Sequence, residues 1–214
     1  MQISKNLSEF ELFKNLDNSS IKKLEEILTY KHFTPKEIIL YEEESVNALY
    51  ILLSGEVKLY KVDRFENEIF LGILDSGILL EFNADNFSAF ANIECTKECL
   101  VACFNGEKLR ELLNEEINIL RFFFKESHKK IALCKEVIKK NLIFDSTAKV
   151  AYSLFYELES FNSHKKQDNA ALLNIQPETL SRILKKMHNQ SIITTDSKGK
   201  IKIIDSQKLQ NIFK

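Results

Sequence analysis

The segment Lys166-Gln-Asp-Asn-Ala-Ala-Leu-Leu-Asn-Ile-Gln-Pro-Glu-Thr-Leu-Ser-Arg-Ile-Leu-Lys-Lys-Met187 constrains this chain more than any other. Pro177 suits the first position of a helix, where its missing N–H costs nothing and its φ is already helical. Gln176 then becomes the N-cap, a weak choice. Leu180, Ile183, Leu184 and Met187 form a buried stripe at helical spacing, leaving Glu178, Thr179, Ser181, Arg182, Lys185 and Lys186 outward. Ahead of them, Ala170, Ala171 and Leu173 predict a short helix with small residues where two helices approach. Asn174 occupies the turn, and Asn tolerates the left-handed conformation. The spacing predicts a helix-turn-helix whose second helix is shaped for a DNA major groove. An ordinary helical hairpin has the same local pattern.

The residues C-terminal to the two helices narrow that choice. Ser191 to Thr195, a polar turn from Asp196 to Lys200 containing Gly199, and Ile201 to Ile204 predict a β-hairpin, giving the order of a winged helix-turn-helix. Between Lys165 and Lys202 there are eight basic residues (165, 166, 182, 185, 186, 198, 200 and 202) against three acids (168, 178 and 196), a local charge of +5. The whole chain carries −1, so positive charge is segregated here, as a phosphate-binding face requires.

With 214 residues there is room for two domains with separate cores. No run approaches the roughly 18 apolar residues of a membrane span, and the N-terminus lacks a basic-then-apolar secretory pattern. Both point to a cytoplasmic protein without membrane contact, its four cysteines reduced. Two prolines and five glycines argue against long disordered linkers.

Along the chain, Leu7 to Leu28 predicts short helices, the second capped by Ser19 or Ser20. From Phe33 to about Phe104 the period becomes that of strands. The clearest are Ile38–Leu40, Ala48–Leu53, Glu56–Val62, Glu68–Leu74 and Leu100–Cys103, which suggest a sandwich or barrel. Glu107 opens a second helical region, followed by one long helix from about Glu115 to Lys140. In it Ile117, Phe124, Ile131 and Ile138 recur every seven residues, accompanied by Leu120, Ser127, Cys134 and Asn141. That is a heptad seam for a parallel homodimer, weakened by Ser127 and Asn141; the alternative is a long helix lying on its own domain. Asp145-Ser-Thr147 caps a further helix through Val150, Ala151, Leu154, Phe155 and Leu158.

With these motifs placed, the chain resembles the superfamily of the catabolite activator protein and the fumarate–nitrate reduction regulator (Crp/Fnr). Pro177-Glu-Thr-Leu-Ser-Arg182 is similar to the recognition-helix core of the fumarate–nitrate branch, and Leu49 to Tyr60 to the paired strands of the family's sensor domain. The resemblance implies an α+β chain. Residues 1–114 form a jelly-roll-like, cyclic-nucleotide-binding-like β-sandwich, 115–144 a dimerisation helix and hinge, and 145–214 a winged helix-turn-helix. The seam residues are Ile117, Leu120, Phe124, Ile131, Cys134 and Ile138. Carried over by position, Glu178, Ser181 and Arg182 touch base edges, which suits a carboxylate facing cytosine and a guanidinium facing guanine. Lys166, Gln167, Thr179, Lys185, Lys198 and Lys200 are read as contacts to the DNA backbone. The implied target is a palindrome with TTGAT- or TTAAC-like half-sites.

The sensor region departs from the cyclic-nucleotide branch. Glu81 stands in the ribose position, but Leu80 replaces the preceding glycine, and Phe87 falls where the phosphate arginine belongs, with only Ser88 left of that pair. Cyclic AMP is therefore disfavoured. With no cysteine before Cys95, the N-terminal ligand set of an iron–sulfur cluster is missing as well. Cys95, Cys99 and Cys103, four apart, would share a face of one continuous strand or form a stripe on a helix, and core filling suffices for them. No metal site is expected. Glu81, Phe87, Ser88 and Cys134 remain as a candidate effector pocket, with Cys134 a thiol on the seam. Haem remains an alternative effector, with His32 or His128 reaching an apolar cavity lined by phenylalanines.

The reading at this point is a homodimeric, sequence-specific DNA-binding transcription regulator in stress sensing, not an enzyme. Its effector is haem with nitric oxide, thiol redox chemistry, or none. Its partners are double-stranded DNA, a second copy of the chain and RNA polymerase. The alternative is a cyclic-nucleotide-type sensor module that acts through protein partners.

Overall fold

Residues 6–83 and 85–214 are described by the computed structural model. The chain divides into two compact units, Met1–Cys134 and Lys135–Lys214. The first opens with two single 3₁₀ turns, Leu7–Glu9 and Glu11–Phe13, and then α1 (Asn18–Glu25). The cap of α1 is Asp17 rather than Ser19 or Ser20. Its Oδ1 accepts the Ser20 backbone N–H at 2.9 Å and its Oδ2 the Ser20 hydroxyl at 2.8 Å. A carboxylate at the start of the helix takes both donors, so Ser20 is served by the cap instead of supplying it. The predicted helix to Leu28 also stops short, because Leu28 opens a strand.

Eleven strands follow: β1 (Leu28–Phe33), β2 (Ile38–Leu40), β3 (Ser45–Val46), β4 (Ala48–Ser54), β5 (Val57–Val62), β6 (Glu68–Leu74), β7 (Gly77–Ile78), β8 (Glu81–Phe82), β9 (Phe87–Ser88), β10 (Asn92–Cys95) and β11 (Cys99–Asn105). They pair antiparallel in the orders β1-β11-β4-β7, β2-β10-β5-β6 and β3-β9-β8. The result is the expected jelly-roll-like β-domain. Leu49 to Leu53 and Cys99 to Phe104 are buried on both strand faces, so β4 and β11 read as continuous apolar runs without alternation. Gly55 turns between β4 and β5 at φ +109°, and a Cβ there would lie 2.4 Å from the Glu98 carbonyl. Only glycine fits.

The cysteines correct the single-strand reading. Cys95 ends β10 and Cys99 begins β11, with the turn of residues 96–98 between them.

Helix α2 (Gly106–Glu115) is followed by Glu116 in an extended conformation and then α3 (Ile117–Ile138), so the long helix starts two residues later than expected. At its end the chain widens into one π-type turn, Lys139–Ile143. Two faces of α3 differ sharply. Ile119, Phe123 and Glu126 are buried against the β-domain, whereas Ile117, Leu120, Phe124, Ile131 and Ile138 are exposed, Phe124 by 72%.

The second unit contains α4 (Ser146–Tyr156), α5 (Leu158–Ser163), α6 (Lys166–Leu172), α7 (Pro177–Asn189), β12 (Ile193–Thr195), β13 (Ile201–Ile203) and α8 (Ser206–Gln210). Asp145 caps α4 as expected, accepting the Ala148 N–H at 2.8 Å. Val150, Ala151 and Leu154 pack with Leu180, Ile183, Met187, Ile193 and Leu209 in a separate core. Among the described residues, no helix is long and apolar enough to cross a membrane.

Candidate nucleic-acid interface and sensor site

The turn between α6 and α7 is built by Asn174 at φ 51°, with its N–H donating to the Ala171 carbonyl and that of Ile175 to the Ala170 carbonyl, both at 3.0 Å. Of the two alanines only Ala170 is buried at the helix crossing. Ala171 faces solvent and Leu173 caps the helix end, so the expected pair of small residues reduces to one. Pro177 is at the start of α7 and Gln176 precedes it without a side-chain cap bond.

On the outward face of α7, Glu178 and Arg182 are exposed, and neither forms an ion pair or hydrogen bond among the described residues; Thr179 is half-buried. Ser181 is also half-buried, and its hydroxyl donates to the Pro177 carbonyl at 2.7 Å. With that proton committed, Ser181 presents only acceptor capacity outward. Lys166, Gln167, Lys185, Lys198 and Lys200 are all exposed. The wing turn closes on Asp196, whose Oδ1 accepts the N–H groups of Lys198 and Lys200 at 2.9 Å each. The Lys200 bond, ahead of the others, holds this carboxyl below its usual range.

Two residues that pattern reading missed tie these parts together. Asn162 on α5 grips the wing at Ile201, donating from Nδ2 to the carbonyl at 3.0 Å and accepting the N–H at Oδ1 at 2.9 Å. Asn141, counted as a weak seam position, lies instead in the π-type turn, where its Oδ1 accepts from Asn174 Nδ2 at 3.0 Å. An isolated Asn in a sequence carries no signal of which backbone it will meet.

In the sensor domain, β8 pairs with β9 so that Glu81 faces Ser88 and Phe82 faces Phe87. Glu81 is exposed, and the Ser88 hydroxyl accepts from Asn83 Nδ2 at 2.8 Å. Phe87 is 1% exposed and meets Phe82 edge-on at 5.3 Å, while Phe123 of α3 meets both Phe82 and Phe104 edge-on. Phe87, the residue expected at the phosphate position, is thus part of the aromatic packing of the β-domain. The cations come from elsewhere. Arg110 of α2 lays its guanidinium 4.9 Å from the centre of the Phe87 ring, with Nη2 buried and without a hydrogen-bond partner among the described residues. Lys130 of α3 donates to the Leu79 carbonyl at 3.2 Å and lies 4.4 Å over Phe90. Burial pushes the Lys130 ammonium down to about 8, against the opposing pull of Glu81 and Cys134. Neither cation was legible in the motif, because both belong to helices outside the strand pair that carries it.

The thiols are unequal. Burial raises Cys95 to about 12 and Cys103 to about 11, so neither is a ready thiolate. Cys99 is also buried, while Cys134 is half-buried. His32 and His128 are both exposed rather than enclosed by the phenylalanines, and His128 lies beside Phe124 on the outer face of α3. Among the described residues no three His, Cys, Asp or Glu side chains gather as metal ligands. Strand β9 itself carries no cation, and the nearest guanidinium to Phe87 is that of Arg110.

A β-sandwich sensor joined by a long helix to a winged helix-turn-helix defines a class of DNA-binding transcription regulators. Residues 30–116 match the cyclic nucleotide-binding domain family and residues 157–212 the Crp-like helix-turn-helix domain family. The chain is 22% identical to the cAMP-activated global transcriptional regulator Vfr of Pseudomonas aeruginosa, over 86% of this chain and 94% of that protein. A Crp/Fnr-family transcriptional regulator from Eubacterium rectale superposes with a TM-score of 0.66 at 18% identity, covering 98% of this chain and 99% of that one. A CooA mutant from Carboxydothermus hydrogenoformans gives 0.68 at 16% identity, covering 99% and 97%. The chain belongs to the Crp/Fnr superfamily of transcription regulators.

Proposed function

We propose that this regulator is a homodimer that reads a palindrome with TTGAT- or TTAAC-like half-sites under an effector other than cyclic AMP, or under none. The observation that carries the reading is the outward face of α7. Glu178 and Arg182 are free of internal partners among the described residues, on a helix whose opposite side is locked by Leu180, Ile183 and Met187. The row Ile117, Leu120, Phe124, Ile131 and Ile138 supports pairing, because a helix leaves such a stripe in water only at a cost that a second copy removes. We take residues 115–144 as the dimerisation helix and hinge, with 1–114 and 145–214 as sensor and DNA-binding domains. RNA polymerase is the further partner of such a dimer on DNA.

The same reading takes Glu178 and Arg182 as base contacts and Ser181 as an acceptor toward the bases. Lys166, Gln167, Thr179, Lys185, Lys198 and Lys200 are the backbone contacts. Cyclic AMP activates the relative Vfr, but the Phe87 ring in this chain argues against it here. Of the thiols, only Cys134 has the exposure a redox effector needs. The test is fluorescence anisotropy of a labelled duplex carrying two such half-sites, read at several salt concentrations beside a scrambled duplex. Preference for the palindrome by about tenfold or more, with one dimer per duplex, is expected; equal affinity for both duplexes overturns the reading.

A further inference from the structure

Between the recognition helix α7 and the wing lies a cleft of about 390 Å³. It belongs entirely to the second unit, and its size is that of a small-ligand site. Its wall is mixed, the apolar edges of Phe161, Leu184 and Ile193 standing beside the polar Asn162, Asn169 and Thr195. At the rim are four basic side chains, His164, Lys166, Lys185 and His188, all exposed. Among the described residues that line it, none is acidic. His164 is held in place by its Nδ1 contact with the Ser160 carbonyl at 2.8 Å, which leaves Nε2 free. The Asn162 clamp on Ile201 fixes the wing side of the cleft to α5, so the cavity is bounded by tied elements.

Charge and shape together select an occupant. A bare inorganic anion would engage the rim and leave apolar wall in water. A neutral hydrocarbon would cover the apolar part of the wall and leave Lys166, Lys185 and His188 without a partner among the described residues. We propose that this cleft binds a small amphipathic anion, by chemical class a medium-chain carboxylate, with its head at the lysine and histidine rim and its chain along the apolar wall. The consequence for regulation rests on the DNA-binding reading. Lys166 and Lys185 are then claimed both by this anion and by backbone phosphates, so occupancy opposes DNA binding.

Octanoate is the probe, with acetate at the same concentration as the control for charge alone. The chain has four histidines, two at the rim and two, His32 and His128, in the other unit, so ring NMR signals carry an internal control. In the full-length protein, octanoate is expected to shift the His164 and His188 signals saturably while those of His32 and His128 stay in place. At about ten times its dissociation constant it should raise the apparent Kd for labelled duplex about tenfold, as simple competition demands. Acetate should do neither. Four signals moving together, no movement, or an equal effect of acetate overturns the site. Movement of the rim signals with unchanged DNA affinity overturns the competition. A protein that bound no duplex would sink the DNA reading alone, since the ring shifts are measured without DNA.

Discussion

Arg182 shows what a single position decides. Its guanidinium is exposed, unpaired among the described residues, and projects from a helix fixed on its other side by Leu180 and Ile183. Arg182→Ala is expected to weaken binding to a cognate duplex by about 1–3 kcal/mol and to relax preference at one base pair of each half-site. Competition against duplexes substituted at each position checks this. A uniform loss on every duplex, the scrambled one included, would make Arg182 a backbone contact. Lys130 makes a prediction of another kind. Its folded pKa of about 8 lies below the ordinary 10.5. The unfolded chain therefore binds more protons between these values, and this residue's contribution to stability rises as pH climbs from about 8 through 10.5. Urea unfolding of wild type and Lys130→Met across that range should show the variant lacking this rise. Parallel pH profiles for the two proteins would place the ammonium in water.

At the scale of elements, the wing and hinge depend on side chains that bond to distant backbone. Asn162→Ala removes both bonds to Ile201 and leaves two half-buried backbone groups unpaired. A loss of about 1–3 kcal/mol in urea unfolding is expected, together with weaker DNA binding of equal size on cognate and scrambled duplexes. On the proposed reading the wing lysines, Lys198 and Lys200, touch the DNA backbone and so position without specifying. Loss confined to the cognate duplex would contradict that role. The helix-turn-helix itself is legible in the sequence, since Pro177, Asn174 and the stripe from Leu180 to Met187 are local signals. The N-cap of α1 was misassigned because Asp17 and Ser20 both satisfy the pattern, and only geometry shows which one accepts. Strand β1 and the break between Cys95 and Cys99 are not legible in the sequence, because short strands in a jelly roll are defined by their neighbours across the sheet.

For the whole molecule, the outer face of α3 carries the prediction. Phe124→Glu places a charge in the middle of the exposed apolar row, outside the buried face of Ile119 and Phe123. In sedimentation velocity the wild type is expected to run as a dimer and the variant as a monomer with an unchanged thermal midpoint. DNA affinity for the palindrome should fall to that of one half-site, because two linked contacts become independent. A variant that remained dimeric would remove the seam from the proposal.

By itself, the sequence determined the order of parts: an antiparallel β-domain, a long helix with a seven-residue apolar repeat, and a basic winged helix-turn-helix. Periodicity, turn residues and charge segregation are local properties, and they survive without a fold. It also shows a phenylalanine, Phe87, where the resemblance to the cyclic-nucleotide branch leads one to expect an arginine. Where charge sits in the sensor instead was decided only by tertiary structure, which brings Arg110 from α2 onto Phe87 and Lys130 from α3 to Leu79 and Phe90. The cleft between α7 and the wing is likewise absent from any stretch of sequence. Burial, desolvation and pairing depend on which distant groups share a space, and that is set by packing rather than by spacing along the chain.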